Sequence, residues 1–435
     1  MAHSSECTDQ YAQKALDGAD IVREAISRQL TLYERVFRLS RADETLDLEL
    51  TYTTLGRTQK RKGEMKFLSA VLASPLLLFA FFCGVPMQAQ ANGDMDKYIK
   101  HEMEVRSVPG LAFAVTENDG IMKEGAYGLA NIETGSPVER DSVFEIASVT
   151  KPITATAVMM LVQEGRIGLE DSIGKYVAET PQAWHEITIR ELLSHTSGLR
   201  EYGLVQCNGS ELLDISTKQQ FDDLVKSPLL FQPGTGTQYS DSGYFLLGMV
   251  IEKVTGRKYR DFLQARIFGP VGMSHTSILD QSAIVPKRVS SYTLREGHLK
   301  NARRAWQHEL PSWYGIWSTV DDLVRFDAAL SSGRLLKPET LQQMWTPATL
   351  KNGKTATIED MPYGLGWFVS SAAGHRIVAH PGWTGTFYLK YPDDGVSIIL
   401  LSNLDAGSGS ANTKIAQGIL ALLRSDLPRF LPPEN

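Results

Sequence analysis

Cysteine is scarce in this chain: its 435 residues include three, Cys7, Cys83 and Cys207. Only Cys207 follows residue 91, so residues 92–435 offer no pair for an internal disulfide bond. Positive charge is not in excess either, because the formal net charge is −6. An acidic balance without a basic cluster in the main domain argues against a nucleic-acid partner.

Two signatures of common hydrolase classes are also missing. The sequence has no Gly-x-Ser-x-Gly, which disfavours the nucleophile elbow of an α/β-hydrolase. None of its nine histidines belongs to His-Glu-x-x-His or to another dense ligand cluster. We therefore expect no metal site and no cofactor.

One long apolar run stands near the N-terminus. It covers residues 67–83, follows Lys66 and precedes the small-x-small triplet Ala89-Gln90-Ala91. This layout predicts a bacterial-type signal peptide over residues 65–91, and hence a secreted or periplasmic protein. The alternative is a membrane anchor that leaves the main domain facing the periplasm, although the run is short for a span and Pro75 interrupts it.

Residues 1–64 precede the predicted signal peptide, and a signal peptide begins at the start of translation. We therefore interpret Met65 as the start of translation and residues 1–64 as an artefactual upstream extension. The alternative is a small cytoplasmic helical segment. In both cases residues 92–435 are predicted to form the main domain, and a membrane is a partner only if the segment 67–83 stays uncleaved.

The pattern Ser148-Val-Thr-Lys151 indicates a candidate catalytic pair. An apolar, strand-like stretch leads into it, and good helix formers follow it to Glu164. If a helix opens at Ser148, the spacing places Ser148 and Lys151 on one helical face. A buried lysine with a lowered pKa can take the serine proton, and a helix N-terminus offers N–H groups to an oxyanion. The pattern predicts a serine acyl-transfer enzyme, with a helix-capping role for Ser148 as the structural alternative.

Ser172-Ile-Gly-Lys175 repeats the spacing, but its internal glycine predicts a loop between helices. Elsewhere, Ser318-Thr-Val-Asp321 resembles a capping box that opens a helix to Leu330. Other helices are predicted over 187–193, 240–255 and 412–423. Strands are predicted over 111–116, 121–129, 363–370, 375–379, 387–391 and 396–403. Strands at both ends with helices between them indicate an α+β fold with a mixed, largely antiparallel sheet and a helical insert.

Two further segments carry candidate site residues. Tyr239-Ser240-Asp241 opens a helix, where Tyr239 can share a proton with a lysine and a serine; a capping turn with a packing aromatic is the structural alternative. His380-Pro-Gly382-Trp383 lies at a predicted turn between two strands. Gly382 allows close approach of the backbone to a ligand, and the N–H of Trp383 is a candidate second oxyanion donor.

In this order, Ser-x-x-Lys, Tyr-x-Asp and His-x-Gly resemble the serine β-lactamase-related family, from about Met95 to Leu423. The turn Leu192-Leu-Ser-His-Thr-Ser-Gly-Leu199 and Gly315-Ile-Trp-Ser-Thr319 add to the resemblance. That family contains class C β-lactamases, D,D-carboxypeptidases, D-aminopeptidases and esterases. The resemblance implies a β-lactamase/D,D-peptidase-like fold and an acyl-enzyme on Ser148, with Lys151 and Tyr239 relaying its proton.

Two departures from the family pattern bear on the substrate. The second motif usually ends in asparagine, where this chain has Asp241. A carboxylate there favours a charged Lys151 and moves the base role toward Tyr239, unless Asp241 pairs with His380 instead. The third motif of class C β-lactamases begins with lysine, where this chain has His380, which is mostly neutral at pH 7.

These departures favour an esterase or peptidase acting on a small ester, amide or peptide. The alternatives are a class C-like β-lactamase or a D-Ala-D-Ala carboxypeptidase. A protein that binds cell-wall peptide with weak or no catalysis is the alternative of another class.

Overall fold

An antiparallel sheet of seven strands lies at the centre of the fold. The computed structural model describes residues 86–201, 213–278, 280–302, 306–405 and 410–430. The strands of this sheet are β1 (Gly110–Glu117), β2 (Gly120–Asn131), β3 (Ser136–Pro137), β13 (Phe368–Ala372), β14 (His375–Gly382), β15 (Thr386–Tyr391) and β16 (Val396–Ser402). Their order across the sheet is β13-β14-β15-β16-β1-β2-β3.

A smaller sheet with the order β4-β10-β6 leads into the candidate nucleophile. Its strands are β4 (Phe144–Glu145), β6 (Ser277–Ile278) and β10 (Ile316–Ser318). Three two-stranded pairs complete the strands of the described residues: β5 (Leu213–Ile215) with β9 (Trp306–His308), β7 (Tyr292–Arg295) with β8 (His298–Asn301), and β11 (Thr357–Ile358) with β12 (Met361–Pro362).

The α-helices are α1 (Pro86–Val105), α2 (Thr150–Gln163), α3 (Ile189–Leu193), α4 (Thr217–Leu224), α5 (Asp241–Thr255), α6 (Tyr259–Leu263), α7 (Gly269–Val271), α8 (Val320–Ser331), α9 (Pro338–Met344) and α10 (Ser410–Leu423). Short 3₁₀ turns lie at Ala147–Val149, Ile173–Lys175 and Gln182–Trp184, and a π-helical turn follows α6 at Gln264–Phe268.

The central sheet is covered on both faces, as the alternation along β16 demonstrates. Ile398 and Leu400 belong to a core shared with α1 and α10, whereas Ile399 and Leu401 belong to the core that contains α2, α5 and α8. Because successive side chains of a strand point to opposite faces, these helices form two layers around the sheet. The predicted α+β class, with a mostly antiparallel sheet flanked by helices, is confirmed.

Helix α2 is the innermost helix. Every residue from Thr150 to Leu161 is buried, so the helix has no solvated face. Such a position suits its threonines and alanines, which let neighbouring elements approach closely. As a consequence, Lys151, in the first turn of α2, lies in the core.

Several sequence predictions are confirmed. The β1–β2 hairpin turns at Asn118 and Asp119, whose φ angles of 49° and 64° match a type I′ turn. Helix α5 ends at Gly256, which adopts a left-handed φ of 68°. Ser172 caps a 3₁₀ turn by accepting a hydrogen bond from the N–H of Gly174.

Other predictions are wrong in detail. The cap of α8 is Thr319, whose side chain accepts from the N–H of Asp322, whereas Ser318 ends strand β10. The strand predicted over 363–370 begins only at Phe368, because Gly366 adopts a φ of 85° that breaks an extended strand. The α-helix predicted to open at Ser148 begins at Thr150 after a 3₁₀ turn.

The predictions for residues 1–85 fall outside the described residues, including the apolar run and the start at Met65. The triplet 89–91 lies within helix α1. Across the described ranges, we find no helix that combines the length and apolarity needed to cross a membrane.

Candidate active site

Ser148 lies on the tight turn that joins strand β4 to helix α2. The turn is closed by a hydrogen bond from the N–H of Val149 to the carbonyl of Ile146, and Ala147 adopts a φ of 43°. A positive φ at a residue with a side chain is unfavourable and persists only where the surroundings enforce it. Here the pairing of β4 with β10 fixes the approach and buried α2 fixes the exit.

Lys151 is fully buried and has three partners at its amine. Its Nζ lies 3.0 Å from Oγ of Ser148 and 3.1 Å from the carbonyl oxygen of Trp313. It also lies 2.6 Å from Oδ1 of Asp241, in the first turn of α5. The structure thus brings the serine, the lysine and the aspartate into one continuous row.

The charge state of Lys151 follows from two opposed effects. Burial lowers the pKa of Lys151, but Asp241 and then Tyr239 raise it, and the net pKa lies above the ordinary value. The resting lysine is therefore protonated at neutral pH. Of the two arrangements that the sequence left open for Asp241, the structure has the pairing with Lys151.

Tyr239 lies directly against the lysine. Its ring centroid is 4.7 Å from Nζ of Lys151, and its other side stacks on His195 at a centroid distance of 4.4 Å. Burial raises the pKa of Tyr239, although Lys151 and a hydrogen bond involving Ser148 oppose the rise. The phenol is therefore neutral at rest and available as a hydrogen-bonding group between the serine and the lysine.

His380 lies in strand β14 rather than at a turn, and its side chain is fully buried. Its Nδ1 is 2.7 Å from the carbonyl oxygen of Pro381, which can only accept, so Nδ1 carries the proton and donates. Nε2 then accepts from the hydroxyl of Tyr363 at 3.1 Å. Burial, followed by the charge of Lys151, lowers the pKa of His380 to about 3, so the ring is neutral. Both ring nitrogens thus bond to protein groups.

Gly382 and Trp383 follow where strand β14 passes the serine turn. A Cβ on Gly382 would lie 2.5 Å from the carbonyl oxygen of Ile146, so this position admits only glycine. The hydroxyl of Thr384 donates to the carbonyl of Glu145 at 2.5 Å. These two contacts hold the backbone of Trp383 beside the serine turn, while its side chain is 59% exposed.

The main-chain N–H groups of Ser148 and Trp383 suit an oxyanion. Ser148 lies in the 3₁₀ turn that precedes α2, where the first N–H groups have no acceptor within the turn. Among the described residues, we find no hydrogen-bond acceptor for the N–H of Trp383.

The sequence assigned no role to three groups that contact this row. The carbonyl of Trp313 accepts from Lys151, but a backbone atom leaves no trace in the residue types. His195 is buried and its Nδ1 accepts from the N–H of Ser240 at 3.1 Å; its place in the Leu192–Leu199 turn was the available signal. Glu201 accepts from the N–H of Asp241 at 2.7 Å through its carboxylate.

In the ranges that the structure describes, no group of three or more histidine, cysteine, aspartate or glutamate side chains is arranged to hold a metal ion.

Comparison with known proteins agrees with this geometry. The chain is 31% identical over 338 residues to a penicillin-binding protein of Bacillus subtilis (strain 168), covering 72% of each protein. The hydrolase EstCE1, described as having promiscuous acyltransferase activity, has the same fold, with a TM-score of 0.66 at 21% identity over 76% of this chain and 99% of that chain. A D-amino acid amidase from Ochrobactrum anthropi SV3 gives a TM-score of 0.66 at 23% identity over 77% of this chain and 100% of that chain.

The family model named Beta-lactamase matches residues 95–422, nearly the segment from Met95 to Leu423 that the motifs outlined. With the fold, this match confirms the resemblance: the chain belongs to the beta-lactamase family of serine hydrolases.

Proposed function

We propose that this protein hydrolyses neutral esters or amides through an acyl-enzyme formed on Ser148. The observation that carries the proposal is the 3.0 Å contact between Oγ of Ser148 and the buried Nζ of Lys151, next to the main-chain N–H groups of Ser148 and Trp383. A nucleophile within hydrogen-bond reach of a base, next to oxyanion donors, is the arrangement that acyl transfer requires.

The first step needs a neutral Lys151. Its nearest acceptor is Asp241, at 2.6 Å, so the lysine becomes a base by passing a proton to that carboxylate. Oγ of Ser148 then attacks the carbonyl carbon while its proton moves to Nζ of Lys151. The carbonyl oxygen becomes an oxyanion held by the N–H groups of Ser148 and Trp383.

The second half of acylation returns the proton. Lys151, through the hydroxyl of Tyr239, donates it to the leaving oxygen or nitrogen as the carbon–heteroatom bond breaks. Water then attacks the acyl carbon and gives a proton to Lys151. The bond between that carbon and Oγ of Ser148 breaks, Lys151 returns the proton to Oγ, and the carboxylic acid leaves. Tyr239 acts here as a relay, because its raised pKa makes it a poor base by itself.

The preference for neutral substrates rests on His380. Its pKa of about 3 and its burial leave the third motif without positive charge at working pH. A substrate carboxylate therefore lacks the cation that a lysine would supply. The named activities of the two structural neighbours, a hydrolase with acyltransferase activity and an amidase, support ester and amide bonds as the substrate class.

A substrate panel tests the proposal: neutral esters, D-amino-acid amides, D-Ala-D-Ala peptides and a chromogenic cephalosporin. We expect the highest kcat/KM for a neutral ester or amide, and covalent labelling of Ser148 by a fluorophosphonate. Faster turnover of the cephalosporin would establish the β-lactamase alternative. Binding of cell-wall peptide without labelling or turnover would establish the non-catalytic one.

We also propose export to the periplasm or medium after cleavage following Ala91, with Met65 as the start. N-terminal mass spectrometry of the native protein tests both points. A mature N-terminus at residue 92 supports them, whereas a peptide from residues 1–64 overturns the assigned start.

A further inference from the structure

A second carboxyl group lies behind Asp241. Glu201 follows the Leu192–Leu199 turn, and its Oε2 accepts a hydrogen bond from the N–H of Asp241 at 2.7 Å. Because Oε2 of Glu201 reaches the N–H of Asp241, the two carboxyl groups are neighbours at the start of α5. Glu201 as a whole residue is exposed, but its carboxyl end lies against the first turn of α5.

This contact adds Glu201 to the row formed by Ser148, Lys151 and Asp241. Glu201 contacts Asp241, Oδ1 of Asp241 is 2.6 Å from Nζ of Lys151, and that Nζ is 3.0 Å from Oγ of Ser148. If both carboxyl groups were ionised, two negative charges would face one ammonium group. Two adjacent carboxyl groups resist this state and retain one proton between them.

We propose that Glu201 is a positioning residue that acts through Asp241: the two carboxyl groups share one proton, so that Lys151 faces a single negative charge. The inference rests on the proposed function, because it assigns Glu201 a part in the same reaction. None of the three sequence patterns, Ser-x-x-Lys, Tyr-x-Asp and His-x-Gly, includes Glu201.

The shared proton matters when the oxyanion forms. With Glu201 protonated, moving the Lys151 proton to Asp241 and the Ser148 proton to Lys151 leaves one positive charge to balance the oxyanion. With Glu201 ionised, the same two transfers leave no net positive charge, and the oxyanion develops next to an uncompensated carboxylate. Transition-state stabilisation therefore weakens when Glu201 loses its proton.

The pH at which this happens is distinctive. Burial of the carboxyl group, and then the charge of Asp241, raise the pKa of Glu201 to about 8. The other titratable groups that interact with the pair are Lys151, Tyr239 and Tyr363. The pKa values of all three are raised above their ordinary values, so none of them titrates near 8.

The test is a pH profile of kcat/KM for a neutral ester or amide, from about pH 6 to about pH 10. We expect the wild type to have an alkaline limb that begins near pH 8, along which kcat/KM falls about tenfold per pH unit. Glu201→Gln should lack that limb, because the amide imitates the protonated acid: it can accept from the N–H of Asp241 and donate to the Asp241 carboxylate. Exposed Glu179→Gln, as the matched control, should keep the wild-type profile.

A purely structural role for Glu201 predicts a different result. Glu201→Gln and Glu201→Ala would then lower kcat/KM by a constant factor at every pH and leave the limb in place, which overturns the proposal. Ser148→Ala distinguishes a failure of this proposal from a failure of the proposed function. If Ser148→Ala is inactive while the alkaline limb persists in Glu201→Gln, only the role of Glu201 is overturned. An active Ser148→Ala overturns both.

Discussion

The carboxylate of Asp241 lies 2.6 Å from the buried amine of Lys151, where the motif of the family usually has an asparagine. This pair keeps the resting lysine protonated, and in the proposed mechanism Asp241 is the acceptor that makes it a base. The proposed catalysis depends on a proton moving between these two groups, and the site can be probed by altering each in turn.

Replacing Ser148 by alanine should lower kcat by about 10⁴-fold or more, because nucleophile and base act as a unit. Steady-state turnover of the best substrate of the panel measures this loss. Ser172→Ala is the matched control, since Ser172 has the same Ser-x-x-Lys spacing but only caps a 3₁₀ turn. A largely active Ser148→Ala together with an inactive Ser172→Ala would reverse the assignment.

Replacing Lys151 by arginine keeps the charge and removes the base, because a guanidinium group does not lose its proton in proteins. We expect a loss of roughly 10³-fold or more in kcat. Since the residue is fully buried, thermal unfolding and binding of a substrate analogue must first establish that the variant folds. Substantial turnover by such a folded variant would mean that Lys151 contributes charge alone.

Replacing Asp241 by asparagine removes the carboxylate that takes the proton of Lys151 in the proposed mechanism. Since the resting lysine is protonated, we expect kcat/KM at neutral pH to fall by about 10²-fold or more. Asp241 raises the pKa of Lys151, so without it that pKa falls, and the variant should gain activity as the pH rises and the amine loses its proton to solvent. The same change made in Glu201→Gln isolates the lysine from the second carboxyl group. Unchanged kcat/KM at neutral pH in both backgrounds would argue against proton transfer between Lys151 and Asp241.

Lys390 and Asp327 form a second buried ion pair, away from the row of the active site. Their charged atoms are 2.9 Å apart, and Ser331 and Ser397 also bond to the lysine amine. Lys390→Met leaves Asp327 buried without its cation, so the free energy of unfolding should fall by about 3–5 kcal/mol. Denaturant unfolding measures it. Exposed Lys218→Met, which breaks a surface pair with Asp222, is the control and should change stability little. A small effect at Lys390 would show that the surrounding hydroxyl groups and Tyr388 are sufficient partners for Asp327.

The sequence predicted the parts of the site that are close together in the chain. Ser148 and Lys151 follow from helical spacing, and Asp241 follows from its place beside Tyr239 at a helix start. Gly382 and Trp383, near the other end of the chain, follow from the residues of their own segment, and the family resemblance linked that segment to the other two.

The remaining contacts depend on long-range packing or on main-chain atoms. The carbonyl of Trp313 carries no residue-type signal, and Glu201 reaches Asp241 across 40 residues of chain. The burial of His380 against Tyr363 follows from the position of strand β14, so a residue expected to face the substrate instead bonds only to protein groups. The cap of α8 was displaced by one residue because Ser318 and Thr319 are both acceptable caps, and the pairing of Ser318 in β10 with Phe144 in β4 decides between them.

Gly382 has a consequence beyond local packing. Without a side chain at Gly382, strand β14 can approach the carbonyl of Ile146 closely, and this approach involves main-chain atoms. The exposed indole of Trp383 takes no part in it. Substitutions of Trp383 can therefore change the surface that a substrate meets while the main chain that carries the two candidate oxyanion donors stays in place. This position offers a route to altered substrate preference that leaves the reacting groups undisturbed.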